Sequence, residues 1–162
     1  MWKVVIIYDS VTGNNELMAK AVAEGVESIN HVEAQLYKIG DRFPISILND
    51  AFAIIVGSPS IYGNMTLKLS QFFDNLNYLS EMKKIRIEGK KGAAFGSYAW
   101  DGGWHTERIE QELMKLGLEM VAPPLSVADQ EGKRSRKISR DDVDRCRELG
   151  KTVARVVTGN QK

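Results

Sequence analysis

The chain alternates between two kinds of hydrophobic pattern. Val4-Val5-Ile6-Ile7-Tyr8, Phe52-Ala53-Ile54-Ile55-Val56-Gly57 and Gly92-Ala93-Ala94-Phe95-Gly96 are unbroken apolar or small-residue runs. Runs of that length without polar alternation predict strands of a parallel sheet covered on both faces. Val32 to Tyr37 alternates apolar and polar residues and predicts a strand nearer an edge. Between the runs the period changes. Leu17, Met18, Ala21, Val22, Gly25, Val26 and Ile29 fall at helical spacing and predict an amphipathic helix over 14–29. Met65, Leu69, Phe72, Phe73, Leu76 and Leu79 predict a second helix, and Ile109, Leu113 and Leu116 a third, stopped at Gly117. Val143, Cys146, Leu149, Gly150, Val153 and Val157 predict the last. Pro44 to Asp50 reads as a short helix. The final strand is either Leu118–Val121 or Leu125–Val127.

This order is strand then helix, five times over. It predicts an α/β fold with right-handed crossovers and helices on both faces of a five-stranded parallel sheet, a three-layer α/β/α architecture. No internal repeat or linker interrupts the 162 residues, so 1–162 reads as one domain.

Composition narrows the chemistry. Lys plus Arg is 22 and Asp plus Glu is 21, a net charge of +1, which is a poor basis for wrapping nucleic acid. The one cysteine cannot close an internal disulfide, and a lone thiol fits a reducing compartment. His31 and His105 are the two histidines, too few for a His/Cys metal centre. The first apolar run is too short for a signal peptide or a membrane span, so the expected location is cytoplasmic, with no membrane partner.

In an open parallel sheet, ligands sit beyond the carboxyl ends of the strands. Three loops there are unusual. Asp9-Ser10-Val11-Thr12-Gly13-Asn14-Asn15 places hydroxyls, amides and a glycine at a helix start, where free N–H groups suit an anion. The same residues also serve as ordinary turn and N-cap chemistry. Gly57-Ser58-Pro59-Ser60-Ile61-Tyr62-Gly63-Asn64 sets an aromatic beside a glycine. Gly96-Ser97-Tyr98-Ala99-Trp100-Asp101-Gly102-Gly103-Trp104 carries three aromatics at the same mouth. Tyr98 and Trp104 either pack back onto helices or face a ligand; Trp100 is the hardest to place in a core.

Other phosphate chemistries fail on their residues. The Walker pattern needs a Lys that the first loop lacks, and G-x-G-x-x-G is absent. A phosphorylatable Asp9 would need a partner acid where Gly57 and Ser58 stand. A Cys146 phosphatase would need Arg at 151, which is Lys. Asp9 is expected to border the phosphate site, Cys146 to be a buried small hydrophobe, and His105 to be a solvent-facing neighbour of a helix cap.

Ser10-Val11-Thr12-Gly13-Asn14 resembles the hydroxyl-rich phosphate loop of flavodoxins. Gly57-Ser58-Pro59 and Phe95-Gly96-Ser97-Tyr98-Ala99-Trp100-Asp101-Gly102-Gly103 resemble most closely the flavodoxin half of the A-type flavoproteins, the flavo-diiron proteins. Gly57 to Met65 is also similar to FMN-dependent quinone reductases. The resemblance spans essentially the whole chain and implies the flavodoxin strand order 2-1-3-4-5.

It further implies FMN as cofactor. Its phosphate would sit on Ser10, Thr12, Gly13, Asn14 and Asn15, with Asn15 where the family often carries Thr. Its ring would lie between Pro59, Ser60, Ile61, Tyr62, Gly63 and Asn64 on one side and Ser97, Tyr98, Ala99, Trp100, Asp101, Gly102 and Gly103 on the other. Tyr62 and Trp100 are the expected stacking pair, and Gly63 the position whose peptide turns its carbonyl toward flavin N5. The implied function is one-electron transfer with redox protein partners, a reductase or an electron acceptor, in a monomer or weak homo-oligomer. The alternatives are an FMN-dependent NAD(P)H or quinone reductase, and a cofactor-free binding module. The metal-binding half of the flavo-diiron proteins is not expected within these residues, since two histidines cannot build it. Lys133 to Arg140 holds five cations in eight positions, either a solvated face or a dock for an acidic partner.

Overall fold

Burial on both faces decides where the apolar runs go. In the computed structural model, which describes residues 1–99, 101–129 and 138–159, they form the middle of a parallel sheet. The elements are β1 (Trp2–Tyr8), α1 (Asn14–Glu27), β2 (Val32–Lys38), a 3₁₀ turn (Ile45–Leu48), β3 (Ala53–Gly57), α2 (Leu67–Glu81) and β4 (Lys91–Tyr98). Then follow α3 (His105–Lys115), β5 (Glu119–Met120), β6 (Leu125–Ala128) and α4 (Arg140–Thr158). Every strand pairing is parallel, and the order is β2-β1-β3-β4-β5. That is the 2-1-3-4-5 order, with the alternating strand β2 at the edge.

The fifth position is shared. β5 pairs with Lys91–Gly92 and β6 with Phe95–Tyr98, so both candidate last strands lie against β4. Pro123 and Pro124 stand between them. Neither has an N–H to give the ladder, so the strand cannot run through.

Side chains alternate across the sheet. Val4, Ile6, Ile55, Ala93 and Phe95 pack with Met18 and Val22 of α1 and Cys146 and Val153 of α4. Val5, Ile7, Ile54, Val56 and Ala94 pack with Leu69 and Phe73 of α2 and Ile109 and Leu113 of α3. Cys146 is buried as expected, and burial pushes its thiol up to about 12, so it stays protonated. Among the described residues, no helix is long and apolar enough to cross a membrane.

α1 and α4 touch through two glycines. A Cβ on Gly25 would fall 1.9 Å from the Arg147 carbonyl oxygen, and one on Gly150 2.0 Å from that of Val22. Both obstacles are backbone, so no rotamer change relieves them. Alanine normally gains about 1 kcal/mol over glycine inside a helix. Here the helices must separate, and overpacking of that kind costs about 1–3 kcal/mol. Gly150→Ala is therefore expected to lower stability despite its better helix propensity. Urea unfolding checks this; a variant as stable as the parent would refute the close packing.

Candidate functional site

The loops that leave β1, β3 and β4 emerge at one edge of the sheet, and side chains tie them together. After β1, Asp9 is buried. It accepts from the Ser10 amide at 2.9 Å and from the Thr66 hydroxyl at 2.6 Å. Thr66 caps α2 by accepting from the Leu69 amide at 3.3 Å. The acid thus joins the first loop to the start of α2.

Ser10 folds back over its own loop, where its Oγ accepts from the amides of Gly13 at 3.2 Å and Glu16 at 3.4 Å. Both lone pairs are taken, so its proton is left for an outside acceptor. Gly13 has φ +98°, and the space where a Cβ would stand is open. First-turn amides of α1 lack carbonyl partners within the helix. A hydroxyl proton, an open glycine and helix-start amides together suit a phosphate.

Asn14 and Asn15 use their side chains elsewhere. Asn15 Nδ2 donates to Ser97 Oγ at 2.9 Å, and Asn14 Nδ2 to Asp129 Oδ1 at 2.9 Å. These bonds stitch the first loop to the ends of β4 and β6. The Asn15 side chain is buried in that bond.

The loop after β3 hangs on the loop after β4. The Ser60 amide donates to the Ser97 carbonyl at 2.8 Å, and Ser60 Oγ donates to Asp101 at 2.5 Å while accepting from the Gly63 amide at 3.2 Å. Ile61 and Asn64 exchange backbone bonds of 2.7 and 3.1 Å around Tyr62 and Gly63. Both central residues have positive φ, +50° and +84°. Glycine takes that conformation freely, whereas Tyr62 holds it at a cost. Tyr62 is 90% exposed and stands clear of the protein.

Across the mouth, Gly103 N donates to Asp101 at 3.1 Å, and Ser126 and Thr106 donate to the Gly103 carbonyl at 2.7 and 3.2 Å. Trp104 is 62% exposed, and Tyr98 is half-buried. Trp100 and Lys133–Lys137 lie outside the described residues.

One expectation is overturned. His105 does not face solvent: it has no exposed surface, and its Nε2 lies 2.8 Å from the Ser58 carbonyl. Its inward direction follows from its place in the first turn of α3, above Gly96, where β4 leaves room. Sequence reasoning gave no role to Ser58, Thr66 or Asp129. A Thr directly before an apolar helical run was a visible cap signal for Thr66; a lone Asp or His carries no such signal.

Charge in the site is held by hydrogen bonds. Partial burial pushes Asp101 up, but the Ser60 hydroxyl, the Gly103 amide and nearby His105 outweigh it and hold the carboxyl below its ordinary value. Burial pushes His105 down, outweighing the Ser58 carbonyl and Asp101, which raise it.

Residues 6–138 match the family model for flavodoxin. The chain belongs to the flavodoxin family. Its cofactor, as in the family, is FMN. A solved flavodoxin from the domain Archaea is 31% identical, with a TM-score of 0.81 over 96% of this chain and 99% of that one. An anaerobic nitric oxide reductase flavorubredoxin from Vibrio vulnificus is 30% identical over 95% of this chain and 29% of its own length. A nitric oxide reductase from Moorella thermoacetica is 34% identical over 94% of this chain and 35% of its own. The chain therefore spans about a third or less of the curated relatives it matches.

The lowered His105 makes stability fall in acid. Above about pH 6.5, the ordinary histidine value, the ring is neutral folded and unfolded, and nothing is lost. Below it the unfolded chain takes up a proton that the folded chain refuses, so stability drops until pH reaches the lower folded value. Asp101 adds loss only in the carboxylate range, below about pH 4. Denaturant titrations at pH 7.5 and 5.0 are expected to show this fall, and His105→Gln to reduce it. An equal fall in both proteins would contradict the assignment.

Proposed function

We propose that residues 1–162 act as one FMN-binding unit that carries electrons singly between redox proteins, a reductase on one side and an acceptor on the other. FMN supplies the electron storage; the chain binds, orients and shields it. Ser10 with the 12–15 backbone takes the phosphate. Pro59–Asn64 and Ser97–Gly103 flank the ring, with Tyr62 against its face and Asp101 with Gly102 and Gly103 at its pyrimidine edge. No residue acts as nucleophile or general base.

The observation that carries this reading is the stitching of three loops around one mouth, with an exposed tyrosine beside it. A flat cofactor laid in that mouth would cover the exposed tyrosine ring. The likeness to an archaeal flavodoxin, 31% identical over 96% of this chain, supports a carrier.

Three experiments test the proposal. The purified protein should release FMN, not FAD, on denaturation. NADH alone should reduce the flavin slowly, with added reductase speeding it; rapid turnover of NADH with a quinone would replace the carrier by the reductase reading. Truncating Tyr62→Ala should weaken FMN binding by about 1 kcal/mol, about fivefold in Kd. Because the ring is so exposed, the same variant should leave the stability of the cofactor-free chain within about 0.5 kcal/mol. Unchanged affinity by fluorescence titration would remove Tyr62 from the stack.

A further inference from the structure

We infer that His105 is a positioning residue for the flavin-facing turn Ile61–Asn64, acting through the bond from its ring N–H to the Ser58 carbonyl; this rests on the FMN reading above. The carbonyl can only accept, so at 2.8 Å Nε2 must carry the proton. Nδ1 is then an acceptor: the Gly103 backbone favours a proton on the ring, but among the described residues nothing makes a hydrogen bond to this nitrogen. A buried nitrogen left in that state is costly. An aliphatic side chain would fill the space without that cost, so packing alone does not account for a histidine here.

The surroundings are shaped to admit the bond. A Cβ on Gly96 would lie 2.2 Å from the Ser58 oxygen and 2.3 Å from His105 Nε2. The strand beneath is bare where ring and carbonyl meet. On either side of Pro59 the chain stays anchored to β4 at the alternate-residue spacing of a parallel ladder: the Ser58 amide donates to the Phe95 carbonyl at 3.3 Å and the Ser60 amide to the Ser97 carbonyl at 2.8 Å. The ring takes the Ser58 carbonyl between those two anchors.

Ser58 is also where the whole loop is hung. Its Oγ accepts from the Thr66 amide at 3.1 Å, at the cap of α2, and donates to the Pro59 carbonyl at 2.9 Å. One residue therefore grips α3 through its carbonyl and α2 through its hydroxyl, with Ile61–Asn64 slung between. Releasing the carbonyl lets Ser58 move, and the Ser60–Asp101 and Ser60–Gly63 bonds move with it.

The test compares the parent with His105→Leu, which removes the donor, and His105→Gln, which keeps an Nε2–H at similar reach. In the cofactor-free chain, long-range ¹H–¹⁵N spectra report the ring tautomer, and amide spectra report Ser60 and Gly63. In the FMN-loaded chain, fluorescence titration gives Kd and spectroelectrochemistry the two one-electron potentials. The parent should show the Nε2–H tautomer. His105→Leu should shift the Ser60 and Gly63 amides, weaken FMN by about threefold or more, and move the potentials, with His105→Gln restoring all three toward the parent. A parent that binds FMN, with a folded Leu variant matching it in amides, Kd and potentials, overturns the inference. So does a Gln variant that behaves like Leu. If the Leu variant does not fold, the parent tautomer and the Gln variant decide, and an Nδ1–H ring overturns it. A parent that binds no FMN defeats the functional reading, while the tautomer and amide arms still judge the strut.

Discussion

Where a parallel strand ends, its backbone loses the ladder that satisfied its polar groups, and something else must take over. At the carboxyl edge of this sheet that role falls to short polar side chains. Asp9 to Thr66, Ser58 to the Thr66 amide, Ser60 to Asp101, Asn15 to Ser97 and Asn14 to Asp129 form one connected set. Each bond is modest in net worth, about 1 kcal/mol. Their effect is geometric: loops from three strands are held at fixed offsets around one opening.

The remainder of the fold supports that edge. The two apolar cores clamp the sheet from both faces, so the strand ends are rigid starting points. The close approach of α1 and α4 through Gly25 and Gly150 fixes where α1 begins, and hence where its first-turn amides point. Backbone amides at a helix start are placed only as accurately as the helix that presents them. The same arrangement explains why the site manages with so little formal charge. The first loop contains neither Lys nor Arg, so an anion there meets dipoles and hydroxyls.

Much of the architecture was legible because it rests on periodicity. Val4–Tyr8 and Ile54–Val56, short runs rich in β-branched residues, read as double-sided strands, and the 3–4 spacing of Leu69, Phe73 and Leu76 as one face of a helix. The final strand was not decidable, because both apolar stretches around Pro123–Pro124 were suitable and the sheet uses both. The site loops stood out by composition, and their resemblance to flavodoxins supplied their roles.

Local order, layer arrangement and the location of the ligand edge follow from the sequence by itself, since each depends on residues close in the chain. The direction of individual polar side chains does not. Asn15 lies 82 positions from Ser97, Ser60 41 from Asp101, and His105 47 from Ser58. Nothing in the local spacing of those residues encodes the meeting. His105 reads as a surface residue beside a tryptophan until helix α3 is docked over Gly96, and only then is the ring buried against the Ser58 carbonyl. Tertiary packing decided that, because a buried polar group takes its meaning from whichever distant partner the fold brings within about 3 Å.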